Sequence, residues 1–518
     1  MLKCLVGILA GVVCLAGLAW AESAAIVRVS IETRAEVDAL SAAGFNVTDV
    51  RPGEAVIYAY GGDIDRLLAL GYTPEMLGRD GQPPVRSKVD DPGPDSLGQY
   101  HDHEAVTGFL AYYADAYPEL TRLENLGESA QGREIWAMLI TESPELKQDK
   151  PAFKYIATMH GDEPVGTEMC LYFIDHLLSN YGDDDRITAL VDETALWIAP
   201  LMNPDGLERA TRANANGVDL NRDFPVYASD FTGTVFDTED LLTDGRQPET
   251  QVIMEWSAQH RFVLAANFHT GALVVNYPYD YEPGVPSGAA APTPDDELLQ
   301  VLSLRYSVHN EPMWNSTRFP QGITNGSRWF SIQGGMQDWN YRFMGGIETT
   351  IELWDVKWPA ESLLPAFWED NREAMLAYAE QVHIGVRGVV TDERTGEPIE
   401  AEILVEGNSQ PVFSDPDAGN YHRLLLPGVY NLAARAPLYA PRFINGVEVG
   451  EGAAARRDAE LMIADLNGDG AVDALDIQLI INSVLGLPCP SGVICDPRGA
   501  GAPSAIEIQR IINAVLGL

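Results

Sequence analysis

Phe153-Lys-Tyr-Ile-Ala-Thr-Met-His-Gly-Asp-Glu163 is the stretch on which the reading of this chain turns. The apolar run from Phe153 to Met159 predicts a buried strand. It stops at His160, and Gly161 lets the backbone turn. Glu163 follows three residues after His160, so an imidazole nitrogen and a carboxylate oxygen can reach one ion just past a strand end. That donor pair suits zinc at about 2.0–2.2 Å. A His and a Glu at this spacing are common by chance, so the weight comes from what lies downstream.

Asn203-Pro-Asp-Gly206 forms a tight turn after a strand ending at Pro200. A loop-like stretch then carries Arg212, Asn221 and Arg222. Arginine offers a planar fork for carboxylates and oxyanions. His269 ends the apolar run Phe262 to Phe268, and Glu352 ends a strand otherwise made of apolar and Thr residues. A carboxylate in such company is costly without a metal, a partner or a task. Together these parts describe one machine. His160, Glu163 and His269 are three ligands that leave a zinc position open for water. Glu352 can take that water's proton and hand it to a leaving amine. Arg212 can steady the oxyanion. Asn221 and Arg222 can grip a free carboxylate, which restricts attack to the last peptide bond. Each residue taken singly also has a bland reading as a core His, a surface Arg or a salt-bridged Glu; the ordered set does not.

The surrounding sequence sets the frame. From residue 98 to 383 strands alternate with helices, predicting an α/β catalytic domain with a mixed central sheet. Its expected strands are Ile135 to Ile140, Phe153 to Met159, Ala195 to Pro200, Phe262 to Phe268 and Gly346 to Leu353. Upstream, residues 83–97 have the Gly, Pro and Asp content of a linker, and residues 22–82 form a small α/β domain that is either a pro-segment or a packing module. His101 and His103 are expected at an exposed helix start. Residues 1–21 read as a secretory signal, with Lys3, an apolar core and Ala19-Trp20-Ala21. No later segment qualifies as a membrane span. A net charge of −42 argues against nucleic acid as a partner and suits a secreted protein, at the cell surface or in a periplasm.

The last third changes style. Residues 384–463 show short alternating strands and turns, predicting a small β-sandwich. Residues 464–518 hold a repeat: Asp476-Ile-Gln-Leu-Ile-Ile-Asn-Ser-Val-Leu-Gly-Leu matches Glu507-Ile-Gln-Arg-Ile-Ile-Asn-Ala-Val-Leu-Gly-Leu. The first helix follows a calcium loop in EF-hand style, with ligand positions at Asp465, Asn467, Asp469, Ala471 (through its carbonyl), Asp473 and Asp476. The second loop, Asp496 to Glu507, carries Arg498 and Ala500 at donor positions, so one calcium ion is expected there in all. Cys489 and Cys495 are expected to form a short disulfide, and Cys170 is read as a core residue.

With these motifs in view, the chain resembles the zinc metallocarboxypeptidases, in particular their regulatory branch of the carboxypeptidase N/E type. The matching stretches are His160-Gly-Asp-Glu-Pro-Val-Gly, Asn203-Pro-Asp-Gly, Asn216-Gly-Val-Asp-Leu-Asn-Arg, His269-Thr-Gly-Ala-Leu-Val-Val-Asn-Tyr-Pro-Tyr-Asp280, Gly322-Ile-Thr-Asn-Gly, Gly334-Gly-Met-Gln-Asp338 and Glu348-Thr-Thr-Ile-Glu-Leu353. The resemblance implies the roles given above and a preference for C-terminal Lys or Arg, selected by Asp280 with help from Gln337. Phe330 stands where the branch usually has a Tyr that closes over the substrate, so one substrate hydrogen bond is missing. The sandwich resembles the transthyretin-like module of that branch, through Gly419 to Tyr430. The tail, with Asp at the twelfth loop position, resembles dockerin modules, which plug into cohesin domains on scaffold or cell-surface proteins; the alternative is a calcium-stabilised tail with no partner. The rival readings of function are a carboxypeptidase of other specificity, including action on peptidoglycan peptides, and an inactive peptide-binding protein on the same fold.

Overall fold

The N-terminal unit begins with β1 (Ala25–Ser30), β2 (Asn46–Arg51), β3 (Glu54–Ala59) and β4 (Glu75–Arg79), in the order β2-β3-β1-β4. The structure is a computed structural model and describes residues 25–51, 53–79, 93–146, 148–230, 242–499, 501 and 503–517. The signal at 1–21 and most of the linker at 83–97 fall outside them. Helices Arg34–Ala42 and Asp63–Ala69 pack on this sheet over a core that includes Val27, Val29, Leu40, Ile57 and Leu67. The sequence pattern predicts strands at Ala25 to Ile31 and Ala55 to Ala59 and helices at Ala35 to Ala43 and Asp63 to Leu70, which correspond to β1, β3 and the two helices. Strands β2 and β4 are the two edges, and an edge needs little apolar alternation to pair.

Eight strands make the central sheet: β5 (Thr121–Glu128), β6 (Glu134–Ile140), β7 (Ala152–Ala157), β8 (Ala195–Ala199), β9 (Leu264–His269), β10 (Ala272–Tyr277), β11 (Ile323–Asn325) and β12 (Ile347–Trp354). Their order is β11-β10-β12-β9-β7-β8-β6-β5. The pairs β12·β9, β9·β7 and β7·β8 are parallel, while β10 and β6 run antiparallel to their inner neighbours, so the sheet is mixed as expected. The inner strands are buried on both faces. Helices Val165–Asn180 and Leu364–Ala379 enclose one face over a core with Tyr155, Phe173 and Phe268. Helix Pro248–His260 helps enclose the other, with Ile156, Trp197 and Met254. Burying each large apolar side chain contributes roughly 1.5–3 kcal/mol, which fixes the strand ends relative to one another.

Two expectations near the start of this domain are corrected. Pro94–Ser96 forms a 3-10 turn whose Ser96 is buried, so the linker's end is built into the domain. His101 is not at an exposed helix start: it is buried, with Nδ1 2.8 Å from Glu168 and Nε2 2.8 Å from Ser96 Oγ. Glu168 lies inside a helix that reads as apolar, and a buried carboxylate there required a partner. His103 is half-buried, with Nε2 2.9 Å from the Glu134 carbonyl.

Nine short strands follow: β13 (Val386–Asp392), β14 (Glu402–Val405), β15 (Val412–Phe413), β16 (Asn420–Arg423), β17 (Gly428–Arg435), β18 (Tyr439–Ala440), β19 (Arg442–Val449), β20 (Ala455–Arg456) and β21 (Ala459–Ile463). They form two sheets, β16-β13-β21-β18 with β20 also on β13, and β15-β14-β17-β19, closed over one core. Buried Arg423 binds Asp295 of the central domain at 2.7 Å, and Gln410 donates to the Tyr341 carbonyl at 2.7 Å. Two amphipathic helices, Ala474–Val484 and Ala505–Leu516, bury Ile480 and Ile511 against Met462, Ala464 and Leu466. Cys489 and Cys495 are bonded, and Cys170 is free and buried.

Candidate active site

Three parallel strands deliver the chemistry. The chain leaves β7 at Ala157 and turns so that His160 and Glu163 stand at its C-terminal end. His269 is the last residue of β9, and Glu352 lies near the end of β12. Gly161 is required by packing: a Cβ there would sit 1.9 Å from the backbone of Gly206. Gly206 belongs to the Asn203 turn, where Asn203 caps the short helix through Gly206 N at 2.8 Å and donates Nδ2 to the Met159 carbonyl at 3.0 Å. The two quoted motifs thus lock against each other, and Arg212 follows from the same corner, its carbonyl accepting from Gly161 N at 3.4 Å.

His160 Nδ1, His269 Nδ1 and Glu163 Oε2 converge, at mutual distances of 3.1, 2.8 and 2.9 Å. Among the described residues this is the one group of three His, Cys, Asp or Glu whose ligand atoms all lie within 4.8 Å of one another. Two imidazole nitrogens and a carboxylate oxygen aimed at one point fit a zinc ion in ligand type and number. Burial raises the Glu163 carboxyl, but His160 and Lys357 outweigh it and hold it well below the ordinary range, so it is ionised as a ligand must be.

Glu352 is half-buried, and its Oε2, shut away from solvent, has no hydrogen-bond partner. Burial pushes its carboxyl up to about 7, with Glu163 adding to the rise and His269, Lys357 and Arg212 opposing it. A carboxyl poised there can hold or release a proton near neutrality. Arg212 reaches Asp219 through Nε at 2.9 Å, and its Nη1 lies 3.0 Å from His160 Nδ1 and 3.3 Å from Glu163.

Asn221, Arg222, Asp280 and Phe330 line the same cavity of about 50 Å³, and Gln337 does not. Asn221 and Arg222 sit on a short 3-10 turn, where Asn221 Oδ1 accepts from Met336 N at 3.0 Å. Asp280 is buried behind them, with Oδ1 3.1 Å from Asn276 Nδ2. Gly326 and Gly335 wall it closely: a Cβ on Gly326 would fall 1.9 Å from Asp280 Oδ1. Burial pushes the Asp280 carboxyl up to about 6, while Asn276, Arg222 and Gln337 pull the other way. Gln337 lies close to Asp280, yet neither of its buried amide atoms makes a hydrogen bond of proper geometry. Phe330 is half-buried at the rim, its ring edge-on to Trp329 at 4.9 Å.

Three residues escaped the sequence reading. Asp219 binds His160 Nε2 at 3.0 Å and Arg212 Nε at 2.9 Å, fixing one of the converging imidazoles and the neighbouring guanidinium at once. Burial raises its carboxyl, but Arg212, Arg222 and His160 hold it well below the ordinary range. Its signal was its place in the quoted Val-Asp-Leu-Asn-Arg run, two residues before Asn221. Lys357, fully buried, binds Glu163 Oε1 at 2.8 Å and Asp162 at 2.9 Å. No sequence signal marks it, because it comes from the loop after β12. Asp338 accepts from the backbone N–H groups of Asp280 and Tyr281 at 2.9–3.0 Å and so fixes the loop that carries Asp280.

The N-terminal unit lies over this mouth. Val47 of β2 lines the cavity. The Tyr60 hydroxyl donates to Asp162, between the two ligands of the first motif, and the Tyr58 hydroxyl donates to the Asp355 carbonyl at 3.3 Å. Lys357 Nζ stands 5.2 Å over the Tyr58 ring.

The predicted calcium ligands are not brought together in the same way. Asp465 accepts from Gly468 N and Gly470 N at 2.8 and 3.0 Å, Asp476 from Leu466 N and Asp473 N at 2.8 and 2.9 Å, and Asp469 from Asn467 Nδ2 and Ala471 N. Asp473 caps the following helix.

Comparisons with known proteins bear on the whole assembly. The family model described as zinc carboxypeptidase matches residues 106–374. Human carboxypeptidase D is 41% identical over 375 residues, 68% of this chain and 26% of that protein. Mouse carboxypeptidase M is 39% identical over 361 residues, 65% of this chain and 78% of that protein. The human carboxypeptidase N catalytic chain is 38% identical over 377 residues, 67% of this chain and 82% of that protein. The chain therefore spans about a quarter of the length of the carboxypeptidase D relatives it matches. In fold it is similar to thrombin activatable fibrinolysis inhibitor, with a TM-score of 0.52 at 17% identity over 69% of this chain and 98% of that one. It is equally similar to carboxypeptidase A from Helicoverpa armigera, with a TM-score of 0.52 at 19% identity over 70% of this chain and 97% of that one.

Proposed function

This chain belongs to the zinc carboxypeptidase family, and from that premise we propose that it is an exported exopeptidase. It removes a C-terminal Lys or Arg from peptides or proteins. The observation that carries the specificity is Asp280, a buried carboxylate beside a Gln337 amide with unmet hydrogen bonds, in the cavity that also holds the metal ligands. A substrate ammonium or guanidinium would answer the charge of Asp280. Zinc held by His160, Glu163 and His269 would supply Lewis-acid polarisation of the scissile carbonyl. Asn221 and Arg222 hold the terminal carboxylate and so align the last peptide bond. Glu352 takes a proton from the attacking water and returns it to the leaving nitrogen. Arg212, steered by Asp219, steadies the charge that develops on the carbonyl oxygen. Phe330 covers the bound side chain without supplying a hydroxyl.

The N-terminal domain, residues 22–82, is a pro-segment in this reading. Val47 in the cavity and Tyr60 on Asp162 support it. Residues 384–463 are a transthyretin-like brace, supported by the buried Arg423–Asp295 bridge. Residues 464–518 are a dockerin-like module with one calcium ion in the first loop and a cohesin-bearing partner outside the cell. The bonded Cys489 and Cys495 agree with an oxidising compartment, and no described helix is long and apolar enough to cross a membrane.

The test is hydrolysis of matched blocked dipeptides ending in Arg, Lys, Phe and Glu, with and without a zinc chelator. Chelator-sensitive release of Arg and Lys far above Phe and Glu is expected. Equal or faster release of Phe would keep the peptidase and remove Asp280 as selector. No turnover from zinc-loaded protein freed of residues 22–82 would favour the peptide-binding reading.

A further inference from the structure

A cavity of about 300 Å³ lies between the central domain and the β-sandwich. It opens at the N-terminal ends of β9 and β12, beside Phe262, Val263 and Gly345, whereas His269 and Glu352 stand at the C-terminal ends. Six residues of strand separate the two, or about 20 Å, so this is not an arm of the active site.

Two features mark its walls. The walls are aromatic, with Trp197, Phe262, Phe413 and Tyr421. They also carry the cations Arg122, Lys150 and Arg261 against the carboxylates Glu145 and Asp415, in a chain whose net charge is −42. Cations gathered over aromatic rings in so acidic a protein call for a specific reason.

Arg261 sharpens the point. Its side chain is only 8% exposed. Nη2 donates to Glu400, and the guanidinium stacks 5.4 Å over the Phe413 ring. Nε and Nη1, however, are buried with no hydrogen-bond partner. His422, 7% exposed, leaves Nε2 in the same condition, since Asp149 at 3.9 Å is beyond hydrogen-bond reach. Burial lowers the Arg261 pKa and brings His422 down to about 4, so the imidazole is neutral at pH 7. Buried donors left unmet are costly, and they cluster where a ligand completes them.

The geometry points to a second binding site in this cavity, for a small organic anion: a carboxylate on an aromatic or branched apolar body. Arg261 receives the carboxylate, and Phe413, Tyr421 and Trp197 enclose the body. A charge-assisted bond in a dry pocket favours the ionised ligand over its neutral isostere. Because the walls come from both domains, the occupant also clamps the sandwich to the catalytic domain. The inference is independent of the proposed peptidase activity.

The experiment titrates the full chain with phenylacetate and with neutral phenylacetamide, reading Tm and intrinsic tryptophan fluorescence. The expected result is a saturable rise in Tm and a fluorescence change with phenylacetate, about tenfold weaker with phenylacetamide. Both responses should disappear in Arg261→Met. Since Arg261 also holds Glu400, a second variant, Ala195→Phe, fills the cavity from β8 and should abolish binding while leaving Arg261 in place. Arg222→Ala, in the active site, should leave both responses intact. Equal response to the amide, persistence in Ala195→Phe, loss in Arg222→Ala, or no saturable response in the folded wild-type chain would each overturn the proposal.

Discussion

Glu352 lies directly opposite His269 in the parallel pairing of β12 with β9. Cross-strand partners share a face of the sheet, so this register sends both side chains into the same cavity. One residue of slip in either strand would turn one of them to the opposite face. The flanking pair Ile351 and Phe268, buried in the core, holds the register. The relation between His269 and Glu352 is therefore set by sheet packing rather than by a loop.

Glu352→Gln keeps the shape and removes the proton carrier. It is expected to lower kcat by about 10²–10⁴-fold, with KM changing little. Zinc content, measured by elemental analysis, and Tm should stay near wild type, because Glu352 is not one of the three converging ligands. Activity within tenfold of wild type would reassign the proton transfer.

Asp280 carries the specificity prediction and a pH signature. Its folded pKa, about 6, lies above the ordinary 3.8, with burial the main cause. The folded protein thus holds this proton more tightly than the unfolded chain does. The stabilisation is complete below the ordinary value and lost as pH rises to about 6. Selectivity runs the other way, since a cationic side chain needs the ionised form. The ratio of kcat/KM for Arg over Phe substrates should rise as pH increases through about 6. Asp280→Asn should flatten that ratio near unity and, by removing a buried charge, leave Tm above pH 6 equal to wild type or higher. A ratio independent of pH in the wild type would put the selecting charge elsewhere.

How much of this was legible beforehand depended on what each residue faces. His160, His269 and Glu352 could be read because each interrupts or ends an apolar run, where a polar residue needs a cause, and Glu163 by its spacing from His160. Inner strands β6, β7, β8, β9 and β12 could be read from their continuous apolar runs. Edge strands β2, β4, β5 and β11 need no strong pattern and were missed, and so was inner β10, which follows β9 after only two residues. Lys357 was illegible because its importance comes wholly from Asp162 and Glu163, about 195 residues earlier in the chain. His101 was misread because its partner, Glu168, hides on a helix face that local sequence cannot locate.

The Tyr60 contact predicts latency. If the N-terminal unit covers the mouth, only the fraction of molecules with it displaced can bind substrate, and the apparent affinity falls by that fraction. Cleavage within residues 80–92 followed by release of the unit is expected to raise kcat/KM at least about tenfold. Tyr60→Phe, which removes only the hydroxyl on Asp162, should give a smaller rise in the uncleaved chain. Size-exclusion chromatography after cleavage separates release from nicking. A cleaved, released form no faster than the intact chain would make the unit a packing module.

The tail offers a test that needs no substrate. In the second loop Arg498 binds Glu507, the residue at the twelfth position, at 2.8 Å, and Glu393 of the sandwich at 2.5 Å. Arg510 joins Glu393 at 2.7 Å. The chain's own guanidinium thus neutralises the carboxylate that a cation would otherwise serve, and Glu507 is accordingly lowered to about 2: burial raises it, but Ser504 and Arg498 outweigh that. The first loop has no such arginine; Asp465, Asp473 and Asp476 accept from backbone N–H groups and Asp469 from a backbone N–H and the Asn467 amide. Calorimetric titration should therefore give one calcium ion per chain. Asp465→Ala should abolish it, and Arg498→Ala should leave it at one while loosening the tail from the sandwich. Two ions in the wild type would mean that Arg498 yields its place, and none would leave the first loop as a turn held by its own hydrogen bonds.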